Sequence, residues 1–217
     1  MYRSQNCQKA AREQKVSHSA EFFSRLAVKG WKRSHFFTFS WGYPRLRKWL
    51  ASQISSRERI ILSVGCGSGE LERLLAKSNH CVIGIDHAYR MLALGRKRGF
   101  KNAIQADAGK LPFCARYFDV VLFPESIGYL DIPGALREAH RVLKRQGRTI
   151  ITAYPPHMES DSFYKKIGMA EIVVRLRHAG FRVLDAKMLK VNTRSIREVA
   201  SEESSCLLYI SARKIST

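Results

Sequence analysis

The chain has no apolar run approaching the ~18–20 residues of a membrane-spanning helix, so no helical membrane span is expected. It also lacks paired cysteines. Its five cysteines (Cys7, Cys66, Cys81, Cys114 and Cys206) form no CxxC pair and no metal-ligand spacing. That excludes a zinc ribbon and a disulfide framework, and it predicts free thiols, no metal and a reducing, cytoplasmic setting. The opening residues, MYRSQNCQKAAREQKVS, lack the apolar centre of a secretory signal. Acidic residues are scarce as well: 18 Asp and Glu stand against 38 Lys and Arg, a formal net charge of +20. The excess is concentrated early, with 13 basic and 3 acidic side chains in the first 60 residues. Such a balance suits an anionic partner, either a membrane surface or a nucleic acid.

Hydrophobic residues make up 45% of the 217, enough for one packed domain and too many for a disordered chain. Residues 1–17 are polar and aperiodic and are read as a basic tail. In residues 18–58 aromatics mix with Lys and Arg. Helical pieces flank the Gly42–Pro44 break, and Leu46, Leu50 and Ile54 are spaced to share one helix face. From residue 59 onward short apolar runs alternate with amphipathic stretches. Strands are expected at 60–64, 81–86, 102–107, 117–124, 148–155, 181–189 and 204–214. Helices are expected at 70–78, 87–99, 132–147 and 170–180, with Gly99, Gly147 and Gly180 as stops. This alternation predicts an α/β, Rossmann-like, seven-stranded, mostly parallel sheet with helices on both faces, its last two strands forming a hairpin joined by a polar segment, 191–203.

The sharpest local signal is VGCGSGE at 64–70, where Gly65, Gly67 and Gly69 follow a buried strand and open a helix. Glycines there permit a tight turn and let a ligand approach main-chain N–H groups; an incidental strand-to-helix turn is the alternative. The spacing is GxGxG, and Glu70 is poorly placed beside a pyrophosphate. Both features favour a ligand without phosphates. The second strand ends at Asp86, where an acid can accept from both ribose hydroxyls or cap the next helix. Asp107, ending the third strand, is either a partner for an adenine amino group or a turn residue.

ILSVGCGSG, VIGID, QADAGKLPF, FDVVLF and ALREAHRVLKRQGR together resemble, in order and spacing, the successive motifs of the class I S-adenosylmethionine-dependent methyltransferases, over roughly residues 59–155. FFSRLAVKGWKRSHFFTFSWGYPRLRKWL is similar to the N-terminal helical lid of the ubiquinone/menaquinone C-methyltransferase group, and KIGMAEIVVRLRHAGFRVLDA to that group's final helix and sixth strand. The resemblance implies a lid over 18–58, a methyltransferase domain over 59–217 and S-adenosyl-L-methionine as cofactor. It implies that Gly65, Cys66, Gly67 and Gly69 pack on that cofactor, that Asp86 holds its ribose, that His87 and Met91 lie near the adenine, that Asp107 and Ala108 meet the adenine edge, and that Phe123 and Pro124 flank the methionine moiety. Where most relatives carry an acid for the cofactor's ammonium, this chain has Ser63, leaving Glu70 or Glu125 as substitutes. Gly30-Trp31-Lys32 stands where quinone methylases have a Tyr-Asp pair.

Methyl transfer from a sulfonium needs alignment and exclusion of water more than it needs catalytic side chains. Glu125, just past the fourth strand, is the first catalytic candidate, as ammonium ligand, charge stabiliser or base; the alternative is a solvated loop acid. Tyr129 follows on the same loop and His35 in the lid, each with packing or surface roles as alternatives. Tyr154 and His157 follow the fifth strand, with structural roles as the alternative. The aromatic, cationic front end reads as a packed lid, as an interfacial element on anionic lipid, peripheral at the inner membrane surface, or as a nucleic-acid contact. The expected function is methyl transfer to a small hydrophobic acceptor, quinone-like or lipid. An RNA methyltransferase and a non-methylating S-adenosylmethionine-binding protein are the alternatives.

Overall fold

The computed structural model describes residues 20–28, 43–156, 164–192, 194–200 and 206–215. The expectations for the basic tail, for His35 and His157, and for Gly30-Trp31-Lys32 lie outside the described residues. Two helices come first: α1 over 20–28 and α2 over Tyr43–Ser52. Pro44 sits in the first turn of α2, where its missing N–H costs nothing and its fixed φ suits the helix. The remaining helices are α3 (Glu70–Lys77), α4 (Tyr89–Lys97), α5 (Ile132–Val142) and α6 (Met169–His178).

The strands are β1 (Ile60–Val64), β2 (Cys81–Asp86), β3 (Ala103–Gln105), β4 (Phe118–Pro124), β5 (Leu143–Ala153), β6 (Phe181–Val191), β7 (Ile196–Val199) and β8 (Cys206–Lys214). They form one sheet in the order β3-β2-β1-β4-β5-β8-β6-β7. The first five run parallel. β8 inserts antiparallel between β5 and β6, so the expected hairpin of the last two long strands is present. Because β1 lies between β2 and β4, the chain winds outward in opposite directions from β1. The crevice at the carboxyl ends of β1 and β4 is where open α/β sheets bind ligands.

Both faces of the central strands are covered, and the period of two shows it. Ile61, Val120 and Ile150 turn to one face, where they join Leu71 and Leu75 of α3 and Leu46 and Leu50 of α2, with Ile54 just beyond it. Leu62, Val121 and Ile151 turn to the other and meet Leu136 of α5 and Ile172 and Leu176 of α6. The helix face read from Leu46, Leu50 and Ile54 is therefore buried core. Arg148 of β5 fastens the exit of α2 to the sheet. It pairs with both carboxylate oxygens of Glu58, at 2.5 and 2.8 Å, and also donates to the Gln53 carbonyl.

Two expectations need correction. The sheet has eight strands, not seven: β7 lies in the segment expected to be a polar connector and pairs antiparallel with β6 as an edge. Its Arg197 and Glu198 give that edge the charge that discourages further pairing. The helix expected over 132–147 ends at Val142, and β5 begins at once. The pairing moves from Phe118↔Leu143 to Val120↔Arg148, so residues 144–147 bulge opposite the single residue Asp119. Asp119 holds that bulge, accepting from Lys144 Nζ at 2.7 Å and from the Ile60 N–H at 2.9 Å.

Candidate active site

The β1–α3 turn is built on left-handed backbone: Gly65, Gly67 and Gly69 have φ of 75°, 52° and 72°. At Gly65 a Cβ would lie 2.4 Å from Ser126 Cβ, so glycine is required there for close approach as well as for φ. Gly65 and Cys66 both donate to the Ile85 carbonyl, at 2.8 and 3.0 Å, which stitches the turn to the end of β2. Ser126 closes the other side by donating to the Val64 carbonyl at 2.6 Å.

Asp86 holds the loop from β2. Its Oδ2 accepts from the Gly67 N–H and its Oδ1 from the Ala88 N–H, both at 2.8 Å. The helix-cap reading needs correction: α4 starts at Tyr89 with Ala88 as its N-cap and no side-chain cap bond, so the Ala88 contact closes a local turn two residues on, while the carboxylate also lines the crevice. Burial pushes its carboxyl above the usual range, and the N–H donors of Ala88 and Gly67 pull it back. Cys66 packs with Leu92 and Phe100 beneath the loop, and burial, Glu72 and Asp86 push its thiol well up.

The crevice opens into a cavity of about 1170 Å³, open mouth included. Of the residues singled out in the sequence, Gly65, Cys66, Gly67, Glu70, Asp86, His87, Met91, Asp107, Ala108, Pro124, Glu125, Tyr129 and Tyr154 line it. Gly69 and Phe123 do not. A Cβ on Gly69 would lie 2.4 Å from the Phe100 ring, so that glycine serves helix packing, and Phe123 is buried in the core on the α5 side. Asp107 accepts from the Gly109 N–H at 2.8 Å while also lining the cavity.

Glu125 is not the solvated loop acid that sequence left open: it is 5% exposed, in left-handed backbone at φ 53°. Its Oε2 pairs with Arg47 Nη2 of α2 at 2.7 Å, and its Oε1 accepts from Thr152 Oγ1 of β5 at 2.5 Å. Tyr129 lies on the 3-10 turn after it. An aromatic wall runs from Phe23 of α1 to Tyr129, Tyr164 and Tyr154, with successive ring centroids 5.0, 4.9 and 5.4 Å apart.

Three contributors were missed from sequence: Arg47, Thr152 and Glu72. Glu72 lies on the core-facing side of α3 with Leu71 and Leu75, is 1% exposed and lines the cavity. Ser63 Oγ donates to its Oε1 at 2.5 Å. Burial pushes its carboxyl up, while the Ser63 hydroxyl and Arg47 pull it down. An acid on an otherwise apolar helix face was the available signal. Glu70, by contrast, pairs with Arg98 at 3.5 Å and is partly exposed.

Charge distinguishes the cavity from the rest of the molecule. Among the described residues, Glu70, Glu72, Asp86, Asp107, Glu125 and Asp131 line it, six acids against the single cation Arg47. An acidic pocket in a protein of net charge +20 repels phosphates and concentrates cations. No group of three or more potential metal ligands occurs among the described residues. Likewise, no helix there is long and apolar enough to cross a membrane.

Residues 62–151 match the family described as the methyltransferase domain. The demethylmenaquinone methyltransferase of Thermotoga maritima is 31% identical over 64% of this chain and 62% of its own length. The 2-phytyl-1,4-naphtoquinone methyltransferase of Thermosynechococcus vestitus is 33% identical over 55% of this chain and 57% of its own. The chain thus spans about three fifths of these curated relatives. In fold it is similar to the 1,6-didemethyltoxoflavin-N1-methyltransferase of Burkholderia thailandensis, solved with bound 1,6-didemethyltoxoflavin and S-adenosylhomocysteine. That match has a TM-score of 0.69 at 18% identity over 94% of this chain and 91% of that one. The chain resembles the class I methyltransferases, the menaquinone and ubiquinone group among them.

Proposed function

We propose that this chain is an S-adenosylmethionine-dependent methyltransferase whose acceptor is a small, hydrophobic, quinone-like molecule. The observation that carries the reading is Asp86, held by the Gly67 and Ala88 N–H groups at the mouth of an acidic, glycine-floored cavity. The residues present fit the group: a carboxylate at the end of β2 suits two ribose hydroxyls, and acidic walls suit a ligand bearing a sulfonium and an ammonium. Asp86 would hold the ribose. Met91, His87, Asp107 and Ala108 would bound the adenine, and the Gly65–Gly67 backbone would pack on the amino-acid part. When bound, the cofactor supplies an electrophilic methyl on a positively charged sulfur whose departure leaves a neutral thioether.

The chain's own part is alignment and exclusion of water. Residues 18–58 would act as the lid: α1 brings Ala20 and Phe23 to the cavity, and α2 brings Arg47. The wall of Phe23, Tyr129 and Tyr154 offers ring faces and edges to a planar acceptor. Because Arg47 and Thr152 engage both Glu125 oxygens, Glu125 serves first to fix α2 over the site. The quinone-related names of the relatives and this aromatic wall both support a lipophilic acceptor. The acidic lining opposes the alternative of an RNA backbone entering the cavity.

Mass spectrometry of lipids, metabolites and RNA from cells with and without the protein tests the reading. The expected result is a lipophilic compound that loses the mass of one methylene when the protein is absent. A difference confined to RNA would replace the proposed acceptor with the alternative one. No methylation difference in any fraction would favour a non-methylating binding protein.

A further inference from the structure

The Ser63–Glu72 pair does not follow from the expected site. β1 places Ser63, fully buried, two residues before Gly65. A serine there supplies no negative charge. Of the two substitutes that sequence offered, Glu70 is turned to Arg98 at 3.5 Å, and Glu125 is bound by Arg47 at 2.7 Å and Thr152 at 2.5 Å. Glu72 is the remaining acid close beneath the glycine turn. It comes from α3, lines the cavity, and reaches across to Ser63, which donates to one of its oxygens. A carboxylate has about four acceptor positions, and the Ser63 hydroxyl and the Glu72 backbone N–H fill two of them.

Folding a carboxylate into a site that is 1% exposed is costly unless something repays it. Ser63 and the Glu72 backbone N–H are neutral donors and repay only part of it. Arg47 acts on Glu72 but is committed to Glu125 through its 2.7 Å contact. Among the described residues Arg47 is the one Lys or Arg lining the cavity beside Glu72 and Glu125, and burial pushes the Glu72 carboxyl up, toward its neutral form. A cationic ligand group beside it would favour the charged form.

We propose that Glu72, oriented by the Ser63 hydroxyl, is the carboxylate that binds the cofactor's amino-acid ammonium in this chain, its charge supplied from α3 rather than from β1. The inference rests on the functional reading above. Glu72 is the ligand-touching residue and Ser63 the positioning residue. Substituting the acid removes a charge-assisted hydrogen bond to the ammonium and leaves the nucleoside contacts at Asp86 intact.

Calorimetry on the purified full chain tests this with two compounds: S-adenosylhomocysteine, and 5′-methylthioadenosine, which lacks the amino-acid ammonium and carboxylate. Glu72→Gln is expected to weaken S-adenosylhomocysteine about tenfold or more while leaving 5′-methylthioadenosine within about twofold. Ser63→Ala weakens only the former, and by less. The exchange Ser63→Asp with Glu72→Ala returns the charge to β1 and is expected to recover most of the lost affinity. If Glu72→Gln binds S-adenosylhomocysteine like the parent, or if both compounds weaken equally, the assignment of Glu72 is overturned while the functional reading stands. A parent that binds neither compound overturns that reading itself, and this assignment with it. Circular dichroism melts of each variant separate lost binding from lost fold.

Discussion

Arg47 of α2 and Glu125 of the loop after β4 form a buried ion pair, Nη2 to Oε2 at 2.7 Å, with side-chain exposures of 12% and 5%. It joins the helical front of the chain to the end of the sheet at the cavity itself. Glu125 holds a left-handed backbone, φ 53°, that a non-glycine residue adopts at a cost.

Breaking this pair from one side should cost more than removing it whole. Arg47→Met leaves Glu125 and the neighbouring Glu72 without their cation, and about 3 kcal/mol of destabilisation is expected. The double variant Arg47→Met with Glu125→Gln should recover at least half of that. Urea midpoints of the parent, the two single variants and the double variant give the cycle. A single-variant cost under about 1 kcal/mol would mean the pair is solvated.

Glu72 should make stability depend on pH in a defined direction. Burial raises its folded carboxyl above the ordinary glutamate value, with Ser63 and Arg47 opposing. The folded state therefore keeps the proton to higher pH than the unfolded chain. Stability falls as pH rises from the unfolded value through the folded one, and the cost is fully present above that. Glu72→Gln removes this cost. Its stability relative to the parent should grow across that window and level off above it. Asp86 is raised too, but it is present in both proteins and cancels. Urea unfolding of both proteins across a pH series reads the difference; a difference that shrinks with rising pH contradicts the account.

Gly65 and Gly99 provide a paired test of the turn. Both have positive φ, 75° and 91°, but a Cβ at Gly65 meets Ser126 Cβ at 2.4 Å, whereas one at Gly99 meets nothing within 4 Å. Gly99→Ala should cost about 1 kcal/mol, from backbone conformation alone. Gly65→Ala should cost about 3 kcal/mol or more and abolish nucleoside binding. Equal costs in thermal melts would show that the turn relaxes freely.

Thiol labelling reports on the packing under the loop. Cys81 and Cys114 are exposed, whereas Cys66 is buried with its thiol held protonated by burial and by Glu72 and Asp86. Under native conditions and limiting iodoacetamide, mass spectrometry should find Cys81 and Cys114 modified while Cys66 stays unmodified. Early modification of Cys66 would show that the loop opens.

Much of this architecture is visible in the residues. IILSV and CVIGID have the continuous apolar character of strands buried on both faces, and β1 and β2 occupy those residues. β7 was missed because IREV is a half-polar edge whose strand character comes from pairing with β6. The border between α5 and β5 was missed because RVLKRQG carries a helical pattern that pairing with β4 overrides from Leu143. The glycine turn and Asp86 lie in one short stretch and were legible. Arg47, Glu72 and Thr152 reach the cavity from α2, α3 and β5, and only the fold brings them together.

Calorimetry of the full chain with S-adenosylmethionine and S-adenosylhomocysteine tests the central claim most directly, with Asp86→Ala as the comparison. The account predicts saturable one-to-one binding to the parent, weakened at least about tenfold when Asp86 is replaced. Absence of binding to the parent, or an Asp86→Ala variant that binds both compounds as the parent does, would contradict it.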